Sequence, residues 1–412
     1  MGPFSQYFSI SQQAIRYYIN NGLLCPSVKN ARYDFSEKDI EDMELLLKLK
    51  SYRFSLADIH KIISLKRFSD FDDPTDLNNL IEILSIKKNE LLKEKEQIES
   101  VITAVENEIA KASLQHSSVS KFRTGLPLSF LEYLACPKCT GSLNWTDCCI
   151  ENRQILSGTL ECGCGFSASV QNGILIGSPG KISKYDWPDI ERNSYRFMNP
   201  RMVSYMQDSY HWILEKLALC VKDNSLVLED FINDYCFCQA NIKDMNPNAK
   251  YIITDKYPEI VALYKRLIDK LELDRQILYI AAASNSLPLK RECIDVYIDF
   301  DSSNECSLFN NCYSTDAIAK YLKRDSYAVG AFFSFLHGSD SLRKLHKVFP
   351  ETWEKSYDKK YFGEYIHSTW EKVINHEVIG EVMNNGGNEK TALYHIPGNV
   401  ELDVYFANGL KK

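Results

Sequence analysis

A row of apolar residues that recurs every seven positions is the feature that most constrains the fold of this chain. Such a heptad row predicts one long helix with an apolar seam, roughly from Asp76 to Leu114. The helix either packs on its own domain or pairs with another in a coiled coil. The main row comprises Leu77, Leu84, Leu91, Ile98, Val105 and Ala112, with Ile81, Ile102 and Ile109 four positions and Leu80 and Val101 three positions after its members.

A short helix with a polar outer face is predicted near the N-terminus. Ser11 is a suitable N-cap, and Asn21-Gly22 ends the helix because glycine tolerates the left-handed conformation that follows a helix. Amide and arginine side chains on such a face can contact base edges and phosphates in the major groove of DNA. The outward-facing candidates are Gln12, Gln13, Arg16 and Tyr17.

The next segment has the pattern of a small wing followed by two helices. Residues 27–36, SVKNARYDFS, predict a β-hairpin with a turn at Lys29-Asn30. Residues 36–39 predict a capped helix, and a further helix begins near Phe54. Residues 1–33 carry three basic side chains and no acid, whereas the whole chain has a net charge of -7. This balance argues against a general nucleic-acid binder and favours a small positive face on an acidic protein.

The segments IRYY…GLL.P and RYDFSEKDIEDMELLLKLKSYRFSLADIHKII carry a family resemblance over residues 2–66. They resemble the DNA-binding domain of MerR-family transcription regulators. The resemblance places Arg16 and Tyr17 in a recognition helix, Arg32 and Tyr33 in a first wing and Arg53 in a second wing. Lys29 is a further wing candidate. A winged helix used for protein contact is the alternative.

The same resemblance implies partners. MerR-like regulators dimerise through an antiparallel pair of long helices, which favours a homodimer whose two recognition helices read two half-sites of double-stranded promoter DNA. In that family, activation bends and untwists promoter DNA, so RNA polymerase is an indirect partner. A small-molecule effector is expected to control the distortion.

Thirteen cysteines, two of them in LACPKCTGSL, indicate a metal site in a reducing compartment. Cys136 and Cys139 have the spacing of a zinc knuckle, and Cys162 and Cys164 form a second pair suited to tetrahedral structural zinc. Cys148 or Cys149 is the alternative fourth ligand, and free buried thiols are the alternative to a metal site. The block resembles zinc-ribbon modules that precede some S-adenosylmethionine-dependent methyltransferases, through L.CP.C…L and …F…V.NGI.

From residue 181 onward, helical and extended patterns alternate, which predicts a mostly parallel sheet. The expected helices include residues 190–197, 202–220 and 258–271. The expected strands are residues 225–230, 248–255, 276–282, 293–300 and 327–335, followed by a closing antiparallel hairpin at 376–383 and 402–408. Over roughly residues 190–410 this order resembles a class I methyltransferase domain.

The chain departs from that family at the cofactor turn. Residues 226–242, LVLEDFINDYCFCQANI, contain no glycine, although the family needs a glycine-rich turn for close approach of the cofactor. Phe231 and Tyr235 are expected where the methionine part of S-adenosylmethionine would lie, so we predict no catalytic residue and no use of that cofactor. The abandoned cleft predicts a site for a flat apolar or cationic small molecule. Its candidate residues are Glu229, Phe231, Tyr235, Asp255, Ala282 and Ser284.

The sequence therefore predicts a multidomain, cytoplasmic transcription regulator with no membrane span. An active S-adenosylmethionine-dependent methyltransferase with an attached DNA-binding domain and a partner-binding scaffold are the alternatives. The expected fold is a winged-helix reader with a long coiled-coil helix, a small zinc ribbon and a C-terminal α/β Rossmann-like methyltransferase fold. The expected segments are residues 1–70 for the reader, 71–115 for the dimerisation helix, 116–130 for a linker, 131–179 for the zinc ribbon and 180–412 for the sensor.

Overall fold

A computed structural model describes residues 1–69, 71–117, 124–180, 182–183, 186–193, 198–384 and 396–411. The chain divides into two compact units, residues 1–119 and 120–412. Part of the predicted linker, residues 118–123, lies outside the described residues. Among the described residues, no helix is long and apolar enough to cross a membrane.

The first unit consists of helices around one small hairpin. Its core is formed by apolar side chains that α2, α3 and α4 turn inward, among them Ile15, Leu46 and Ile59, all fully buried. The elements are α1 (Gly2–Tyr7), α2 (Gln12–Asn20), β1 (Ser27–Lys29), β2 (Arg32–Asp34), α3 (Glu37–Ser51), α4 (Leu56–Ser69) and α5 (Pro74–Ser117).

Local sequence signals set the ends of these helices. The Ser11 hydroxyl accepts a hydrogen bond from the Ala14 N–H at 3.2 Å at the start of α2. Ser36 and Asp39 form a reciprocal capping box at the start of α3. The long helix α5 spans the whole heptad row, so the prediction of one continuous helix is confirmed.

The hairpin differs from its prediction by one residue. Lys29 pairs with Arg32, so the turn consists of Asn30 and Ala31, with φ of 50° and 58°. Both residues are left-handed, as the two-residue turn that matches strand twist requires. Asparagine tolerates positive φ, whereas alanine rarely adopts it, so no residue preference marks Ala31 as a turn position in the sequence.

The second unit is built on one extended sheet. Its helices are α6 (Pro200–Cys220), α7 (Phe237–Asn241), α8 (Pro258–Asp269), α9 (Ser302–Asn310), α10 (Ser314–Ile318), α11 (Asp340–Val348) and α12 (Lys359–Thr369). Its strands are β3 (Leu126–Pro127), β4 (Asn144–Glu151), β5 (Gln154–Glu161), β6 (Ser167–Gln171), β7 (Ile174–Ile176), β8 (Leu226–Glu229), β9 (Lys250–Asp255), β10 (Gln276–Ala281), β11 (Ile294–Phe300), β12 (Leu322–Ser334), β13 (Trp370–Asn384) and β14 (Gly398–Leu410).

The strand order gives the fold class. The sheet runs β13-β14-β12-β11-β8-β9-β10 and continues through β7-β6-β5-β3, with β4 paired to β5. Strands β12, β11, β8, β9 and β10 are parallel neighbours, and β14 lies antiparallel between β12 and β13. The predicted α/β methyltransferase fold with its closing antiparallel hairpin is confirmed.

The cysteine-containing segment belongs to the same sheet. Strand β7 pairs in parallel with β10, with Tyr279 opposite Ile174. The hairpins of residues 144–176 therefore extend the methyltransferase sheet at its β10 edge within one compact unit. In the predicted helix at residues 190–197, residues 194–197 lie outside the described residues.

Candidate functional site

The outer face of α2 presents the predicted polar side chains. Gln12, Gln13, Arg16 and Tyr17 are exposed, whereas Ile15 and Tyr18 on the opposite face are buried. The phenol of Tyr18 accepts a hydrogen bond from Lys50 Nζ at 2.9 Å, which ties α2 to α3. The helix is thus held by one face and leaves the other free for a ligand.

The wing candidates are also exposed but differ in their partners. Lys29, Arg32 and Tyr33 lie on the hairpin, and Lys29 Nζ pairs with Asp34 at 2.6 Å. Arg53 follows α3 with a φ of 62°, and its guanidinium pairs with Glu94 of α5 at 2.8 Å. A phosphate bound by Lys29 or Arg53 would therefore share the cation with an existing exposed ion pair.

Arg67 holds the turn after α2, a role that the sequence analysis missed. Its guanidinium donates hydrogen bonds to the carbonyls of Gly22 and Leu23, each at 2.8 Å, and to Asp42 at 2.9 Å. The contacts join α4 to α3 across 25 positions of sequence and to the turn after α2 across 44 and 45, so no local pattern reveals them.

The four predicted metal ligands converge. The Sγ atoms of Cys136, Cys139, Cys162 and Cys164 all lie within 4.8 Å of one another. Two pairs, Cys136 with Cys164 and Cys139 with Cys162, are 3.4 Å apart. A tetrahedral zinc site with Zn–S bonds of about 2.3 Å has S···S edges of about 3.8 Å, so this arrangement fits the ion with small adjustments.

Two tight turns aim these thiols at one point. The N–H of Cys136 donates to Gly141 O at 2.9 Å, and a Cβ at Gly141 would lie 3.3 Å from Cys139 Sγ. Burial raises the pKa of Cys136, but the backbone N–H groups of Cys139 and Lys138 outweigh this and lower it to about 7. A thiol with this pKa loses its proton readily, and the resulting thiolate is the form that binds metals.

The alternative fourth ligands lie elsewhere. Cys148 and Cys149 are in β4, and neither belongs to the four-thiol cluster. Cys148 Sγ instead contacts Thr146 O at 3.5 Å and lies 2.8 Å from the position that a Cβ at Gly158 would take. Among the described residues, Cys164 supplies the fourth thiol.

The second candidate site lies where the sheet reverses its direction of winding. Strand β8 has β9 on one side and β11 on the other, and ligands of open α/β sheets bind outside the carboxyl ends of strands at such a point. Glu229 ends β8, Asp255 ends β9, and α9 with Glu305 follows β11.

Glu229 organises the turn after β8. Its carboxylate accepts hydrogen bonds from the backbone N–H groups of Phe237 and, at 2.8 Å, of Cys238. These are first-turn donors of α7, which have no partner inside the helix. Burial raises the pKa of Glu229, and these hydrogen bonds counter that rise. Glu229 therefore caps α7 within the protein.

Phe231 and Tyr235 lie in the turn between β8 and α7. Phe231 has a φ of 55°, a left-handed conformation that is unfavourable for a bulky residue. Tyr235 is 1% exposed, with its ring centroid 6.1 Å from that of Phe300. Backbone geometry suited to glycine is thus kept while two aromatic side chains fill the space beside it.

The remaining candidates surround a group of buried acids. Asp255 is 1% exposed, and its Oδ1 accepts a hydrogen bond from the Tyr257 N–H at 2.9 Å. The carbonyl of Asp255 accepts from the Ala282 N–H at 2.9 Å, and Ser284 is a hydrogen-bond partner of Asp230. Burial raises the pKa of Asp230 to about 6 and that of Asp255 to about 7.

Comparison with known proteins supports the N-terminal assignment. Residues 1–66 match the family described as "MerR HTH family regulatory protein". Curated protein sequences give no match. Solved structures similar to about half of the chain include a putative methyltransferase from Bacillus halodurans, with 12% identity over 48% of this chain and 97% of that chain and a TM-score of 0.38.

Two further solved structures match this chain with similarly low sequence identities and TM-scores. Geranyl diphosphate C-methyltransferase from Streptomyces coelicolor is 7% identical over 49% of this chain and 76% of that chain, with a TM-score of 0.37. The MccD protein is 8% identical over 49% of this chain and 96% of that chain, also at 0.37. At these values the fold assignment rests on the strand order. Residues 1–66 are a MerR-type helix-turn-helix domain, fused to a cysteine cluster and a methyltransferase fold.

Proposed function

We propose that this protein is a dimeric, sequence-specific transcription regulator that binds double-stranded promoter DNA through α2 and the β1–β2 wing. The observation that carries the proposal is the exposed face of α2 and the wing, with Arg16 and Arg32 in a segment that contains no acid before Asp34. Amide side chains of Gln12 and Gln13 suit base edges, and the arginines suit phosphates.

Replacing Arg16 or Arg32 by Ala is expected to weaken operator binding and to leave folding intact. Each arginine is exposed, so its removal leaves no buried group unpaired. The dependence of log Kd on log salt concentration should fall by roughly one ion per lost phosphate contact. Fluorescence anisotropy with a labelled operator at several salt concentrations measures both quantities.

Arg324→Ala is the matched control, because Arg324 is an exposed arginine of the second unit, 75% exposed in its side chain. This substitution should leave the affinity for the operator, and the dependence of log Kd on log salt concentration, unchanged. Unaltered binding and slope in both Arg16→Ala and Arg32→Ala would contradict the assignment of this face to DNA.

Dimerisation is proposed to occur through α5. Many large apolar side chains of this helix are exposed within the described residues, and exposed apolar surface of this extent marks interaction sites. The heptad spacing fits a second copy of the same helix, in the antiparallel arrangement of MerR-like regulators. The exposed residues are Leu77, Ile81, Leu84, Ile86, Leu92, Ile98, Val101, Ile102, Val105 and Ile109.

We further propose that the methyltransferase-fold unit is a sensor and contains no catalytic residue. Phe231 and Tyr235 fill the turn that a methionine tail would approach, which supports a ligand other than S-adenosylmethionine. A bound effector acts by favouring one geometry of the dimer, distorting promoter DNA and thereby affecting RNA polymerase indirectly. Zinc at the four cysteines is proposed to be structural.

An active S-adenosylmethionine-dependent methyltransferase is the second candidate. Asp255 keeps the position at the end of β9 where an acid can hold ribose hydroxyls, and its Oδ2 is buried without a hydrogen-bond partner among the described residues. A hydroxyl donor would satisfy that atom. The two candidates differ in whether the wild-type protein binds the cofactor.

Calorimetric titration of the full-length protein with S-adenosylmethionine is expected to give no saturable heat. Phe231→Gly should permit binding, because it removes the ring and places glycine at a positive φ. Phe231→Leu is the control that retains bulk and should not bind. Saturable binding by the wild type would favour the methyltransferase candidate over the sensor.

A further inference from the structure

The ammonium group of Lys256 occupies a buried cage of aromatic faces. Its Nζ lies 5.9 Å from the ring centroid of Phe231, 5.2 Å from that of Tyr257 and 5.3 Å from that of Phe309. Lys256 is 9% exposed. Cations over aromatic faces gain most when they are removed from water, and groups of such faces recognise organic ammonium ions.

Acidic side chains complete this cage. Lys256 Nζ forms ion pairs with Asp186 and, at 3.5 Å, with Glu305. Tyr257 donates its hydroxyl hydrogen to Asp186 at 2.9 Å. Asp186 and Glu305 are 6% and 4% exposed, so both ion pairs are removed from water.

Among the described residues, the cage contains several buried acidic side chains but one cation, Lys256. Asp230 and Asp255 are also buried here, and burial together with the field of Asp230 raises the proton affinity of Asp255. Asp255 Oδ2 and Glu305 Oε2 have no hydrogen-bond partner among the described residues. A buried carboxylate oxygen without a donor is costly, which indicates that a further donor or cation belongs beside it.

The surroundings favour an organic cation over a metal ion. Among the described residues, the four cysteines are the one group of at least three Cys, His, Asp or Glu side chains close enough to hold a metal. A hard metal ion needs several oxygen ligands around one point, whereas the cage presents ring faces to the ammonium. Aromatic ring faces and carboxylates that do not converge on one point suit an organic cation, whose positive charge is attached to an apolar group.

We propose that this cage, at the carboxyl ends of β8 and β9, binds an organic monocation with an apolar body, such as a quaternary ammonium compound, and that Lys256 is its internal substitute. The inference rests on the proposed sensor function and names the ligand class. In the structure the single Lys256 ammonium is shared between ion pairs with Asp186 and Glu305. A ligand cation competes with it and also faces Asp255 Oδ2.

Binding is linked to proton release. Burial raises the pKa of Asp255 to about 7 and that of Asp230 to about 6, and the charged groups that act on Asp255 include Lys256, Asp230, Asp186 and Glu305. An added cation lowers these pKa values because it favours the carboxylate. Affinity for the cation should therefore rise as pH increases from about 6 to about 8, with protons released.

The test uses the full-length, zinc-loaded protein and two probes of equal shape. Phenyltrimethylammonium carries the charge, and tert-butylbenzene is its neutral analogue. Calorimetry at pH 8 should show the cation binding about tenfold or more tightly than the neutral probe. Titrations in buffers of different ionisation enthalpy should reveal proton release at pH 7.

Paired variants separate a ligand role from a structural one. Asp255→Asn should weaken cation binding about tenfold, whereas Lys256→Met should strengthen it to a similar extent because the internal competitor is gone. A merely structural cluster would weaken binding in both. Lys256→Gln serves if Lys256→Met does not fold, and the exposed Glu259→Gln should change nothing.

Three outcomes would overturn the inference. They are equal binding of both probes, binding of neither by the wild type and the Lys256 variants, and displacement of the cation probe by K⁺ or Mg²⁺ alone. If only the neutral probe binds, and it alters operator binding, the proposal of a cation site is rejected but the proposed sensor function is retained.

Discussion

Replacing Cys136 by Ser is expected to release the metal and to unfold the segment from residue 131 to residue 179. Cys136 is 1% exposed and is one of four thiols that point at one centre. Structural zinc contributes about 10–16 kcal/mol in small zinc modules, which is as large as the whole free energy of unfolding of a typical domain. Elemental analysis should find about one zinc per wild-type chain and almost none in the variant.

Loss of the metal should destabilise the strands next to the cysteine cluster in a defined order. Strand β7 pairs with β10, β6 with β7 and β5 with β6, so loss of the cysteine cluster frees successive strands of one sheet. Amide hydrogen exchange should accelerate strongly in β5 and β6 and more weakly in β10. Strand β10 keeps its other neighbour, β9, and so retains one ladder of hydrogen bonds.

Cys149→Ser is the matched control, because Cys149 is an exposed thiol of the same segment outside the cluster. It should retain the metal and the wild-type exchange pattern. Wild-type protein purified without chelators that contains no zinc, or a Cys136→Ser variant that retains it, would contradict the assignment.

Regular periodicity made much of the fold predictable. The heptad row predicted α5, and the extended patterns at residues 225–230 and 248–255 predicted β8 (Leu226–Glu229) and β9 (Lys250–Asp255). These patterns are local, because the side chains that repeat along one element share one environment. The spacing of Cys136 and Cys139 likewise predicted two thiols that lie in one cluster with Cys162 and Cys164.

Contacts between distant segments were not predictable in the same way. The pairing of β7 with β10 joins residues over one hundred positions apart, so the sequence analysis treated the cysteine segment as a separate module. The Lys256 cage brings Asp186 together with Glu305 and Phe309 of α9, which are more than one hundred positions away in sequence. An acid after a strand is common. Only the assembled fold distinguishes Asp255, one of whose oxygens has no hydrogen-bond partner among the described residues, from Glu229, which caps α7.

Ile102→Asp is expected to convert the proposed dimer to monomers and to abolish tight operator binding. Ile102 lies on the apolar seam of α5 and is 51% exposed within one chain. In a dimer the substitution buries two unpaired carboxylates, at a cost of several kcal/mol, and should raise the dissociation constant of the dimer at least about 100-fold. Analytical ultracentrifugation measures that constant, and anisotropy measures operator binding.

Thr103→Asp is a control one residue away, because it introduces the same charge on the same helix. Thr103 is exposed and lies one position beyond the seam, where a helix turns by about 100° per residue. It should leave the dimer intact, since its carboxylate stays in water. Loss of the dimer in both variants would indicate a general effect of charge on α5. A dimer that survives Ile102→Asp would place the interface on another surface, and the two half-sites would then have to be read by a different arrangement of α2.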